Sequence, residues 1–335
     1  MIWGLYAEVT VIYDPYAVFI CHADIRRPKR LESVLMQDSF HLFFPLLSSV
    51  LFVLAATFAR EATSKGVTPY TATALSNFSL GTFWLIFGLT TGAWIPANQW
   101  WQAFWIGGAF VTGQLATFLA FRLGDVSLAT PVFGVKIIMV AFLSAFLADQ
   151  QITLSVWIAA ALATLGVAII QFGASNSSET KLTARKAAFS IGFALLAATL
   201  LSIFDIAVQR AGKQLGPLPF LSSMFVSVGI LSLGLVPFMN SVEKVRELKA
   251  TTPLLLAALL MATQSLSVTY ALGQFGDATR VNIVYSLRGL WSVVFAWMAL
   301  RFFSQASSGL SRSTLLYRFV GAVMVTIAIV IALWQ

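Results

Sequence analysis

Two positive charges occupy stretches of sequence that otherwise suit lipid. Within TPVFGVKIIMVAFLSAFLAD, positions 130–149, the one ionisable side chain between 131 and 148 is Lys136, and Arg288 holds a similar place in VNIVYSLRGLWSVVFAWMAL, 281–300. Near the centre of a membrane span a lysine costs about 2.5 to 3.5 kcal/mol even on lenient insertion scales, so both charges need something to offset them. Lysine is a point charge with three donors, and arginine a planar fork matched to carboxylate or phosphate. The chemistry open to the pair is recognition of an anionic group. Asp205, in LLSIFDIAVQR, is the carboxylate that falls firmly inside a hydrophobic segment. It is a candidate counter-ion and a candidate proton-coupling group, because a buried carboxyl exchanges its proton as its neighbours change. One aspartate does not balance two cations, and a purely structural ion pair is the other reading of the same charges. Asn77, Gln114, Gln264 and Asn282 are the intramembrane amides, suited either to substrate contact or to interhelical hydrogen bonds of about 1 kcal/mol each.

The elements that must hold these residues are membrane helices. Of 335 residues, 59% are hydrophobic and 10% charged, which places the chain among polytopic membrane proteins. At about 20 apolar residues per span the sequence divides into ten helices. The sixth is expected over 188–208, the seventh over 219–239 and the ninth over 279–300. A single cysteine, Cys21, excludes an internal disulfide, and two histidines, His22 and His41, leave no His/Cys metal cluster. The spans contain no paired acid and base, nucleophile triad or metal-ligand set, so neither an enzyme nor a cofactor is expected. The excess of 21 Lys and Arg over 13 Asp and Glu reads as loop charge and not as a nucleic-acid surface. Residues 1–35 differ from the rest, with Glu8 and Asp14 in their most apolar part and a basic RRPKR run. They are expected to be disordered, or to lie upstream of a true start at Met36.

A polar linker, GASNSSETKLTARK, follows the fifth span. It sets a first unit over 36–173, a linker over 174–187 and a second unit over 188–335, with five helices in each unit. The units share a pattern. Arg60 and Arg210, Gly66 and Gly216, Pro69 and Pro219, and Gln114 and Gln264 are each 150 positions apart. After a two-residue insertion, Gly124 and Gly276, Asp125 and Asp277, and Lys136 and Arg288 are each 152 apart. An odd number of helices per unit makes the second enter the bilayer from the opposite side, so the repeats are inverted. Many secondary transporters are built this way, with substrate near the midplane at the interface between repeats.

Lys136 and Arg288 each lie about 10 residues into their spans, roughly 15 Å from either end at 1.5 Å per residue. A lysine stem does not reach the headgroups from that depth, so both must face protein or water. An in-plane pseudo-two-fold axis would place them on opposing walls of one cavity. Asp205 breaks that symmetry, because its repeat mate is Ala55. Asp125 and Asp277 suit helix starts. Trp84, Trp94, Trp100, Trp101 and Trp105 fit an interfacial aromatic belt. Small residues in AALATLGVA and GAVMVTIAIVIA, on the fifth and tenth spans, suit close helix packing, including packing between two copies in a homodimer.

The stretch PVFGVKIIMVAFLSAFLADQQITLSVWIAAALATLGVAII, 131–170, in this ten-helix layout resembles the EamA-type drug/metabolite transporter superfamily. That family shows a kinked helix, a short acidic turn and a closing span with spaced glycines. LADQQIT with Asp149 and Gly166 stand in for these features, whereas the second unit carries ALRFFSQ with Arg301 where the acid would be. The resemblance implies an all-α, multi-pass membrane protein that moves a small molecule by alternating access. It also implies a central cavity lined by the first four helices of each repeat. Branches that carry sugar phosphates and nucleotide sugars use basic residues on the fourth and ninth helices, so an anionic metabolite is expected at Lys136 and Arg288. Export of neutral or cationic compounds, with the two cations structural, is the alternative. A bacterial plasma membrane is the expected location. Family precedent puts both termini in the cytoplasm, yet from Met36 onward the odd-numbered loops hold 11 Lys and Arg and the even-numbered loops 3. The charge rule therefore favours the opposite orientation, but the four basic residues of 1–35 narrow the count to 11 against 7, so the sequence leaves orientation open.

Overall fold

The computed structural model describes residues 40–123, 126–147, 151–175, 184–291, 294–295 and 312–334. Residues 1–35, Gly124, Asp125, Asp149 and Arg301 lie outside the described residues. Those described are helical with no strand, as an all-α membrane protein requires. The first unit contains α1 (Phe43–Ser64), α2 (Pro69–Thr91), α3 (Trp100–Leu123), α4 (Val126–Leu147) and α5 (Leu154–Ser175). The second contains α6 (Ala184–Leu215), α7 (Pro217–Ser232), α8 (Thr251–Phe275), α9 (Ala278–Tyr285) and α10 (Arg312–Leu333). Among the described residues, five helical stretches are long and apolar enough to cross a bilayer: Phe40–Ser64, Pro69–Thr91, Ala188–Leu215, Pro217–Phe238 and Thr251–Phe275.

Helix ends follow from local chemistry. The Thr68 side chain accepts from Thr71 N–H and Pro69 opens α2, where a missing N–H costs nothing. Gly66 and Gly216 both sit at positive φ, +102° and +83°, in the turns before α2 and α7. The repeat offset thus corresponds to a shared backbone requirement that glycine meets without strain. Asp277 caps α9 by accepting from Arg280 N–H. Two spans depart from the expected continuous helix. The seventh passes at Leu233 into a 3-10 segment ending at Phe238, because Pro237 supplies no donor. The ninth breaks at Ser286 and Leu287 before resuming at Arg288.

Packing repeats with the sequence. α1 lies on α8 as α3 lies on α6, α4 meets α6 as α9 meets α1, and α3 meets α7 as α8 meets α2. The pairs α2 with α7, α4 with α9 and α5 with α10 map onto themselves. α8 runs antiparallel to α1. Lys65, beyond the end of α1, donates to the carbonyl of Lys249 before α8, while Ser267 near the end of α8 donates to the carbonyl of Phe44 at the start of α1. Since α3 runs parallel to α1 in the up-down order, α8 opposes its own counterpart, and the two units are inverted. At the α5–α10 crossing the small residues pack within the chain. A Cβ on Gly321 would stand 2.5 Å from the Gly166 carbonyl oxygen, and one on Gly166 2.8 Å from that of Gly321. Among the tryptophans, Trp101 and Trp105 are exposed as a belt requires. Trp84 is instead 2% exposed and stacks on Phe225 in the core, since α2 turns that face toward α7.

Candidate functional site

Three helices bring the charges together. Lys136 on α4 places its Nζ 2.7 Å from Oδ2 of Asp205 on α6, and Asn282 Nδ2 on α9 donates to the same oxygen at 2.8 Å. The carboxylate is almost fully buried, with 6% of its side chain exposed against 15% for the lysine. Asn282 also donates to the Ala278 carbonyl, one turn back on its own helix, and that bond fixes the amide's direction. Ser202, one turn before Asp205, donates to the carbonyls of Lys136 and Ala198. The cost of burying two ions is thus offset by direct pairing and an added hydrogen bond, the conditions under which a buried pair is tolerated. The pair carries no net charge.

Arg288 is held differently. Its guanidinium lies 4.8 Å from the Phe52 ring centre on α1 and 4.6 Å from that of Tyr285, one turn earlier on the ninth span. The two rings meet edge to face at 6.1 Å. Among the described residues no carboxylate pairs with Arg288. With the two rings nearly perpendicular, the guanidinium sits in the corner they form, drawn to both faces, and it also hydrogen-bonds the Tyr285 side chain, which leaves its remaining N–H groups available to an oxyanion. Tyr285 donates its hydroxyl to Gln264 Oε1 at 2.9 Å, and Gln264 Nε2 donates to Ser265. Ser48 on α1 takes up the Gln264 carbonyl at 2.5 Å. Trp291 donates to Ser49 at 3.1 Å, which secures the helix beyond the break to α1.

The other amides lie apart. Asn77 Nδ2 donates to Gln114 Oε1 at 3.0 Å and to Ser232 Oγ at 2.9 Å, joining α2, α3 and the end of α7. Its Oδ1 is buried without a hydrogen-bond partner. The structure therefore gathers Lys136, Asp205 and Asn282 in one cluster and Arg288 and Gln264 around Tyr285, with Asn77 and Gln114 in a separate polar group.

The repeat gives this arrangement a common frame. Phe52 and Ser202 are 150 positions apart, as are Ala55 and Asp205. Each cation leans on the same helix of the opposite unit, Lys136 against a serine and a carboxylate, Arg288 against the Phe52 ring. Geometry is shared and chemistry is not. Sequence reading missed Phe52, Tyr285, Ser202 and Ser232. The spacing of Asn282, Tyr285 and Arg288 at i, i+3 and i+6 was the available signal, since it sets all three near one helix face.

Residues 39–172 match the model of the EamA-like transporter family. The match begins just before α1 and ends within α5, so it covers the first five-helix unit and bears out the resemblance carried by 131–170. No curated protein matches the chain. One solved crystal structure of a protein is similar over 86% of this chain and 97% of its own, with a TM-score of 0.60 at 20% identity, and it shows the fold. Members of the family are membrane transporters of small molecules and not enzymes. At that level the match points to movement of a small molecule across a lipid bilayer by an integral, multi-pass protein.

Proposed function

We propose that this chain, whose residues 39–172 match the model of the EamA-like transporter family, is a secondary transporter that binds the anionic group of a small metabolite between its repeats. The observation that carries the reading is the charge balance of the site. Lys136 and Asp205 cancel, and Arg288 lies in the corner formed by the Phe52 and Tyr285 rings with no carboxylate partner among the described residues. One positive charge remains in a setting where an uncompensated charge is expensive, and an incoming oxyanion lowers that cost. Arg288 is the anchor. Lys136 then exchanges Asp205 for the substrate, and the released carboxyl takes a proton, so that anion and proton cross together without net charge. Rocking of one bundle against the other around this point gives alternating access. The bacterial plasma membrane is the membrane in which we place it.

A second reading is favoured by one feature. The 2.7 Å contact of Lys136 with Asp205, closed by Asn282, is also what a purely structural pair would look like, and a transporter of neutral or cationic compounds would need nothing more of it. A ligand-induced thermostability screen separates the two. The purified parent is compared with Arg288→Gln against organic acids, phosphates, amino acids, nucleosides and cationic drugs. The anion reading expects stabilisation of the parent by one class of anion and its loss in a folded Arg288→Gln. Equal stabilisation of both proteins by neutral or cationic ligands would overturn it.

A further inference from the structure

The two ends of the molecule are built differently. After the 3-10 segment Leu233–Phe238, whose Leu233, Val236 and Phe238 side chains are exposed, the chain forms a short helix, Val242–Glu247. Ser241 caps it by accepting from Lys244 N–H at 3.2 Å. Val245 and Leu248 pack with Ala62, Val67 and Leu254, which ties the helix across the ends of α1 and α8. Asn240 Oδ1 accepts from Thr68 N–H at 2.6 Å and from the Thr71 hydroxyl at 3.0 Å. Lys65 bridges Glu61 and the Lys249 carbonyl. The segment is held firmly, and what it holds outward is a mixture of apolar and basic side chains.

Phe238 is 60% and Val242 75% exposed, beside exposed Lys244, Arg246 and Lys249. Lys249 closes the short helix at φ +51°, a left-handed position where glycine is the unstrained choice. Its N–H still reaches the Arg246 carbonyl, and that of Ala250 reaches Val245, as a helix-closing motif requires. A lysine is kept where the backbone prefers none. Of the acids here, Glu61 takes Lys65 and Glu247 takes Lys244, and Glu243 is exposed. Arg60, Arg246 and Lys249 are left without an ion partner among the described residues. Exposed apolar groups next to unpaired cations, at the rim of a bilayer, match the acyl and phosphate layers of an anionic leaflet.

The same end collects the other loop cations. Ser190 donates to the Ala120 carbonyl, so the start of α6, with Arg185 and Lys186, lies by the end of α3, on the side where α1 ends and α8 begins. Arg60, Lys65, Arg185, Lys186, Lys244, Arg246 and Lys249 therefore share one end, against Arg210, Lys213 and Arg280 at the other. Lys and Arg bias of this kind sets orientation in a membrane.

We propose that the end bearing Val242–Glu247 faces the cytoplasm, and that the segment 242–249 rests on the anionic headgroups of that leaflet, with Arg246 and Lys249 on lipid phosphates. This goes beyond the transport reading, which holds in either orientation, and it sets the loop charges above the family precedent of cytoplasmic termini, since α1 begins at the opposite, outer end. Two measurements test it. In a Cys21→Ser background, Glu243→Cys and Gln214→Cys are exposed to a membrane-impermeant maleimide. Gln214→Cys is expected to label in intact cells and Glu243→Cys only after permeabilisation. Labelling of Glu243→Cys in intact cells, or failure of Gln214→Cys to label there, overturns the orientation. In the second, the full chain is unfolded thermally in phosphatidylcholine vesicles with and without phosphatidylglycerol. The anionic lipid is expected to raise the Tm in a salt-sensitive way, and Arg246→Gln/Lys249→Gly to lose that rise while unfolding cooperatively. Glycine suits the backbone at 249, so this variant folds if the account is right. A rise that is the same in parent and variant, or absent from the parent, overturns the lipid contact.

Discussion

Lys136 and Arg288 solve one problem, a full charge inside a membrane fold, by different means. For Lys136 the means is a carboxylate at 2.7 Å, and removing either partner leaves the other buried alone. Lys136→Met is expected to cost about 3 to 5 kcal/mol in denaturant or thermal unfolding, whereas Lys136→Met/Asp205→Leu should recover parent stability or exceed it. Recovery without transport would place the pair in the substrate cycle; recovery with full transport would make it structural. For Arg288 the means is two ring faces, worth about 2 kcal/mol where water is excluded. Arg288→Lys should keep the charge but lose the guanidinium fork, and so weaken anion-induced stabilisation in the thermal screen more than it lowers the parent's own Tm. The two cations were legible from sequence because a charge in an apolar run is rare. Phe52 and Tyr285 were not, because an aromatic in a span is ordinary until a cation is seen above it.

At the scale of elements, the inverted units depend on contacts that glycine permits and on breaks that polar ends create. The α5–α10 crossing brings Gly166 and Gly321 close enough that a side chain on either meets the other's carbonyl. Gly321→Leu is expected to destabilise by about 1 to 3 kcal/mol, measured by thermal unfolding, because two helices packed this tightly must move apart. The start of α9 was legible from its capping residue, Asp277. The break at Ser286 and the 3-10 turn at Leu233 were not, since hydrophobicity runs on across both and a length rule sees only one span. The break is where the site is made. It falls between Tyr285 and Arg288, and across it the ring and the guanidinium meet each other and Phe52 on α1, while the tyrosine hydroxyl reaches Gln264.

For the whole molecule, the repeat predicts that equivalent positions do equivalent mechanical work. α4 leans on α6 and α9 on α1, so the cations sit at the two contacts between units that a rocking motion must loosen or tighten together. Asp205 on one side, with Ala55 as its mate, makes the two contacts chemically unequal, so in the proposed cycle a proton on Asp205 would bias one of them alone. Asp205→Asn is therefore expected to abolish uptake driven by a pH gradient while leaving exchange of internal for external substrate intact, as read by uptake into vesicles of set internal pH. The five-and-five pattern was read in sequence from paired residues at an offset of 150 that becomes 152 after a two-residue insertion. How the units face each other was not, because packing across an interface leaves no period along the chain. The central claim is that Arg288 anchors an anion between inverted repeats, and the direct test is the initial rate of uptake into vesicles of the anion that most stabilises the parent, measured for the parent and for Arg288→Gln. The account predicts uptake by the parent and loss of at least tenfold in the variant, about 1.4 kcal/mol or more of binding. Uptake by Arg288→Gln at the parent's rate would contradict it.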